Sequence, residues 1–189
     1  MTSVVLVKHS APTVSASVPA AEWHLSPGGI ERCVGLADRL RAFSTRSIAT
    51  SAEPKAVETA AIVGQRLGLP VDVLEDLHEH DRRDTALLGD EAFRNAIRSL
   101  FAQPHDRVFG RETAADALAR FDAAIGRLCE SRRPDEDVIV VTHGTVISLF
   151  VAAHTGEDGF GLWSRLGLPS LVELRRADLS LERIEAELP

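Results

Sequence analysis

Short runs rich in apolar residues alternate along the chain with longer stretches in which apolar residues return every three or four positions. Val4–Val7, "SIATS", "VDVLEDL" and "DVIVVTHG" are the short runs. Val4–Val7 is β-branched and apolar on successive positions, as expected of a central strand buried on both faces; "DVIVVTHG" is the clearest strand, and "SIATS" and "VDVLEDL" read as two further short ones. Between them lie helical patterns. Ile30, Val34, Ala37 and Leu40 form a predicted apolar stripe after "LSPGG", where Ser26 can cap and Pro27 suits the first turn. "AEPKAVETAAIVGQRLG" places Ala56, Ala60, Val63 and Leu67 on one helical face and reaches a glycine, Gly68, near its end. A long amphipathic helix is predicted from about Arg111 to Cys129, with Ala114, Leu118, Phe121, Ile125 and Leu128 facing inward. The apolar helix "TVISLFVAAHTG" follows the last central strand.

Residues 80–110 are less regular. They carry one apolar-periodic piece, Glu91–Leu100, before the Gln103-Pro104 break, and read as an inserted helical segment that walls a pocket. Leu171–Leu174 and Leu179–Ile184 read as a closing hairpin at the sheet edge, and Trp163 as core or sheet cover. The alternation predicts a three-layer α/β fold: a mainly parallel, doubly wound sheet with helices on both faces, and one domain over residues 1–189. In such folds ligands bind beyond the carboxyl ends of the central strands.

Composition narrows the class. The 44% hydrophobic and 26% charged fractions are those of a globular chain, and a formal charge of −7 disfavours nucleic acid and anionic membranes as partners. Cys33 and Cys129 lie far apart in helical patterns, which points to buried reduced thiols and a cytoplasmic setting. No charged-then-apolar leader precedes the first strand, and the longest apolar run is interrupted at Thr142-His143-Gly144. One compositional detail bears on chemistry. Of 21 basic residues only two are lysines, Lys8 and Lys55.

The strand-end rule selects residues sharply. His9 and His143 each follow a central strand, Lys55 opens the helix after "IATS", and Glu79 stands just past "VDVLEDL". Two imidazoles, a carboxyl and, with Lys8, two ammonium groups suit a phosphomonoester. An imidazole can attack phosphorus, cations and helix N–H groups can hold the phosphoryl oxygens, and a carboxylic acid can protonate the leaving oxygen. No carboxylate cluster suggests a metal, and no cofactor is expected.

These segments resemble, in order, the motifs of the histidine phosphatase superfamily, the phosphoglycerate-mutase-like group. "VLVKHS" is similar to its Arg-His-Gly motif, "WHLSPGG" to its Leu-Thr/Ser-x-x-Gly segment, and "TSAEPKAVETA" to its Ser-Ser-x-x-x-Arg-Ala-x-x-Thr-Ala segment. "LHEHDRR" resembles Leu-x-Glu, and "VVTHGTVI" the second histidine motif. The resemblance implies a phosphatase with His9 as nucleophile, His143 as its electrostatic partner and Glu79 as proton donor. It also implies phosphate binding by Lys8 and Lys55; beside these, the backbone N–H groups opening the helix at Gly144 and the Ser10 hydroxyl are candidate phosphate contacts. The substrate class so implied is a small phosphomonoester or a phosphoprotein. Lys8 and Lys55 stand where the family has arginine, and Ser10 where it has glycine. Lysine keeps the charge but lacks the planar fork that grips two oxygens.

Other readings compete at several positions. Glu75 is the alternative carboxylate to Glu79. His78 and His80 are expected at the pocket rim or surface, Trp23 and His24 near its mouth, and His105 and His154 at the surface. Arg82 and Arg83 could reach the substrate, with a solvated face as the default. Two other activities remain in play. One is a binding or regulatory homologue motivated by the lysine and serine departures; the other, ranked lower, is a mutase.

Overall fold

The two runs expected to be central strands pair with each other. In the computed structural model, which describes residues 2–188, β1 (Ser3–Lys8) lies parallel to β4 (Val138–Thr142), with Lys8 opposite Thr142. Strands β2 (Ile48–Ser51) and β3 (Val71–Leu74) extend the parallel part, while β5 (Ser170–Arg175) and β6 (Leu181–Glu185) add an antiparallel hairpin. The order is β3-β2-β4-β1-β5-β6. The mainly parallel α/β sheet and the closing hairpin are thus as predicted.

Alternation within the strands builds the two cores. Val5, Val7, Ile139 and Val141 face α1 (Pro27–Leu40) and α2 (Pro54–Leu67), burying Leu36, Leu40, Ala56, Ala60 and Val63. Val4, Leu6, Val138 and Val140 face the other side. There they pack with Phe121 and Ile125 of α4 (Ala114–Ser131) and Val146 and Phe150 of α5 (Gly144–Thr155). Among the described residues, no helix is long and apolar enough to cross a membrane.

Local departures from the sequence pattern have physical causes. Helix α1 is rotated from the expected stripe: Gly29, Cys33, Leu36, Ala37 and Leu40 are buried, whereas Ile30 is 49% and Val34 38% exposed. Gly29 dictates this phase, because a Cβ there would lie 2.1 Å from the Ala11 carbonyl oxygen. Helix α4 starts at Ala114, three residues later than expected, because Thr113 and Asp116 form a reciprocal capping box. The periodic piece after the loop is α3 (Asp90–Ala102), whose Ile97 and Leu100 enter the same core as Phe121. A seven-residue helix, α6 (Gly159–Arg165), was not anticipated, because two turns show too little period. Its Phe160 and Trp163 meet Phe101 and Phe93 of α3 edge-on. Cys33 is buried as expected, but Cys129 is only half-buried.

Buried polar ties bring the strand ends into line. The Asp137 carboxylate accepts the Ser3 and Ser44 N–H groups, each at 2.7 Å, which joins the starts of β1 and β4 to the loop before β2. At the carboxyl ends, His9 N–H donates to the Thr142 carbonyl (2.9 Å) and the Thr142 hydroxyl to the Leu77 carbonyl (2.7 Å). The three segments carrying His9, His143 and Glu79 are therefore fastened to one another by hydrogen bonds.

Candidate active site

His9 and His143 meet where β1 and β4 end. Their ring centroids are 5.1 Å apart in an edge-on arrangement, and they are 6% and 1% exposed. His9 Nδ1 lies 2.7 Å from the Ser10 carbonyl oxygen. A carbonyl can only accept, so Nδ1 carries the proton and Nε2 of the neutral ring keeps its lone pair. Burial, followed by the charges of His143, Lys55 and Lys8, holds the His9 imidazole well below its ordinary range. Burial and Lys55 do the same for His143 against the opposing pull of Glu79. His143 Nε2 is 2.8 Å from the Ser51 hydroxyl, while its buried Nδ1 has no protein partner.

Both lysines reach this site. Lys8 donates to the Leu166 carbonyl at 2.7 Å, and its carbon stem runs beside Gly144. A Cβ at residue 144 would stand 3.1 Å from Lys8 Cε, so glycine there makes room for the lysine. Burial lowers the Lys8 ammonium from 10.5 to about 8, with Glu79 opposing the shift. Lys55 is buried at the start of α2, donates to the Ala20 carbonyl (2.7 Å), and pairs with Glu53.

Glu53 is the member of the site that sequence reasoning missed. It stands at the position before α2 where a capping side chain would sit, yet caps nothing. Instead it turns inward. One carboxylate oxygen pairs with Lys55; the other accepts Glu79 N–H at 2.9 Å and lies 3.6 Å from His143 Nε2. A glutamate in place of a capping residue, at the carboxyl edge of the sheet and two residues before a scarce lysine, was the available signal.

Glu79 is held on the first turn of α5. Its carboxylate accepts N–H groups from His80 (2.9 Å), Thr145 (3.2 Å) and Val146 (3.3 Å). Burial alone would raise this carboxyl, but Arg82, His143 and the His80 N–H outweigh it and keep it below the usual carboxylate range. The backbone around it is clamped by Arg120, which donates to the carbonyls of Asp76, His78 and Glu79 and pairs with Glu112. Glu75, the competing carboxylate, is exposed on the outer wall of the cavity.

The remaining candidates separate. The Ser10 hydroxyl is fully buried and donates to the Gly29 carbonyl at 2.7 Å, which fastens α1 to the end of β1 and keeps the side chain off the cavity. His80, expected at the rim, is buried against Phe109 with Nε2 on the Glu112 carbonyl. His78 is half-buried, and His24 and His154 are hydrogen-bonded to the Glu58 and Asp122 carboxylates. Arg83 is exposed and paired with Asp81, whereas Arg82 turns inward. Among the described residues, no group of three or more metal-ligating side chains is arranged around a common point. A cavity of about 370 Å³ opens beside the site, walled by Glu53 and Glu79 together with Glu22, Glu75, His78 and Arg82.

A mixed α/β sheet with paired histidines at its carboxyl edge defines the class. The chain belongs to the histidine phosphatase superfamily, branch 1, whose family model matches residues 4–184. Solved structures share the fold. A mycobacterial glucosyl-3-phosphoglycerate phosphatase superposes with a TM-score of 0.73 at 22% identity, over 98% of this chain and 97% of that one. Bacillus stearothermophilus YhfR gives 0.75 at 22% (100% and 98%), and a putative alpha-ribazole-5'-P phosphatase from Escherichia coli 0.71 at 21% (97% and 96%). No curated protein sequence matches.

Proposed function

We propose that the protein is a metal-independent phosphomonoester hydrolase acting through phosphohistidine on His9. The observation that carries this reading is the His9 tautomer. Nδ1–H is fixed on the Ser10 carbonyl, so Nε2 offers its lone pair beside His143 and two ammonium groups.

In the first step His9 Nε2 forms a bond to phosphorus as the ester P–O bond breaks, and the leaving oxygen takes a proton from Glu79. Glu79 rests ionised, but a phosphoryl dianion placed beside it repels that charge and drives proton uptake from solvent or from the substrate monoanion. In the second step water attacks phosphorus, Glu79 takes the water proton, and the P–N bond breaks to return neutral His9 and inorganic phosphate. Lys8, Lys55, His143 and the N–H groups opening α5 hold the equatorial oxygens throughout.

The cavity narrows the alcohol side. Glu22, Glu53, Glu75, Asp76, Glu79 and Asp81 outnumber Arg82 and Arg83 on its walls. Leaving groups that are neutral or cationic suit such walls, and those with a further carboxylate or phosphate do not. A phosphoglycerate mutase reaction is disfavoured on the same ground.

The test is turnover of p-nitrophenyl phosphate in a chelator, with His9→Ala as control, followed by denaturing alkaline-quench trapping of acid-labile, alkali-stable phosphohistidine. Absence of turnover in the wild type, or equal turnover in His9→Ala, overturns the proposal. One observation favours a second reading, a ligand-binding protein with weak turnover: Glu53 already holds Lys55. Saturable phosphate binding without release of product from any ester would select it.

A further inference from the structure

Lys8 and Lys55 face two carboxylates, Glu53 and Glu79, so these four groups together leave the pocket without net charge. A phosphoryl dianion needs more. Both carboxylates are also fully engaged: Glu53 by Lys55 and the Glu79 N–H, Glu79 by three backbone N–H groups.

Arg82 stands out against this background. It lines the same cavity as Glu53 and Glu79, yet among the described residues no carboxylate lies within ion-pair distance of it. Its Nη1 is buried without an acceptor. The guanidinium stacks over the Phe93 ring of α3 at 4.8 Å, which fixes its plane. The backbone on either side is anchored as well: Asp81 N–H donates to Glu112 at 2.9 Å, the Asp81 carbonyl accepts Arg111 N–H at 2.7 Å, and Thr85 N–H donates to the Arg82 carbonyl at 2.9 Å. Its neighbour Arg83 has the opposite arrangement, exposed and bidentate on Asp81. A desolvated N–H without an acceptor is costly, and a held, unpaired guanidinium on the cavity wall, near enough for its charge to act on Glu79 and His143, is the group an anion would satisfy.

Resting on the phosphatase reading, we propose that Arg82 is the third cation of the phosphoryl site, supplying from the loop after β3 the planar fork that neither Lys8 nor Lys55 carries. It binds the transferring phosphoryl group itself and not the alcohol.

The test compares wild type, Arg82→Lys, Arg82→Met and Arg82→Ala in p-nitrophenyl phosphate turnover, in competitive inhibition by inorganic phosphate, and in thermal unfolding. Arg82→Met keeps an apolar side chain against Phe93 if alanine weakens the fold. Expected are Ki for phosphate and KM raised together by about tenfold or more in the methionine and alanine variants, with partial recovery in lysine. Added guanidinium ion is expected to restore part of the alanine variant's activity and none of the wild type's. An unchanged phosphate Ki in folded Arg82→Met overturns the inference, as does a change confined to KM for esters with anionic alcohols. Wild type that neither turns over ester nor binds phosphate overturns the phosphatase reading instead, which separates the two failures.

Discussion

Lys8 sets an upper pH limit on the proposed reaction. Its ammonium is half-buried beside His9, donates to one carbonyl, and is lowered from 10.5 to about 8. The difference corresponds to about 3 kcal/mol of disfavour for the charged form in the free protein. At about pH 9 roughly a tenth of the molecules keep the Lys8 proton, so kcat/KM for p-nitrophenyl phosphate falls about tenfold from its plateau. An arginine at this position stays charged, and Lys8→Arg is expected to carry the plateau through about pH 9.5.

Stability moves the other way. Because the folded value is lowered, the unfolded chain binds more protons than the folded one between about pH 8 and 10.5, so this group's contribution to stability rises with pH across that window. Activity lost with Tm held or raised therefore marks deprotonation, and activity lost with Tm falling marks unfolding. The assay is kcat/KM from about pH 6 to about pH 10 at constant ionic strength, paired with thermal unfolding in the same buffers. A wild-type profile flat through about pH 9.5, or a decline that Lys8→Arg reproduces unchanged, refutes the reasoning.

Further outcomes follow from single contacts. Glu53→Gln keeps an acceptor for the Glu79 N–H but releases Lys55, so inorganic phosphate should inhibit about fivefold more tightly, read as Ki. Gly144→Ala pushes a Cβ against the Lys8 stem, so KM should rise several-fold while Tm stays within a few degrees. Asp137→Ala strands the buried Ser3 N–H and frees the Ser44 N–H to water, and should lower stability by about 1–3 kcal/mol in urea unfolding, an effect that Asp137→Asn only partly avoids.

How much of this was legible depended on what kind of order each part has. The strands carrying His9 and His143 could be read because their patterns are set by burial on both faces, and burial is written in residue type. The rotation of α1 could not. Ile30 and Val34 fit an apolar stripe, and only the approach of the Ala11 carbonyl to Gly29, a tertiary contact, turns them outward. Helix α6 is held by α3 and α5 more than by its own short period. At the candidate site, the strand ends alone bring His9 and His143 together, whereas the direction of Glu53 follows from a neighbour, Lys55, and from the Glu79 backbone across the pocket.

Glu53 also bears on why position 55 holds a lysine. An ammonium is a compact point charge with three rotatable donors, so Lys55 can hold the Ala20 carbonyl and Glu53 together inside a buried space. A guanidinium there would need a planar acceptor, and Glu53 would give it one, tying the fork to protein and away from substrate. The lysine-glutamate pair is weaker in geometry and can rearrange when a dianion arrives, with Glu53 retaining the Glu79 N–H. On this argument Lys55→Arg alone should weaken phosphate inhibition, because the fork closes on Glu53. Lys55→Arg combined with Glu53→Gln should strengthen it beyond wild type. A double-mutant cycle on phosphate Ki measures the coupling directly, and additive effects of the two substitutions would show that Glu53 does not govern the cation at position 55.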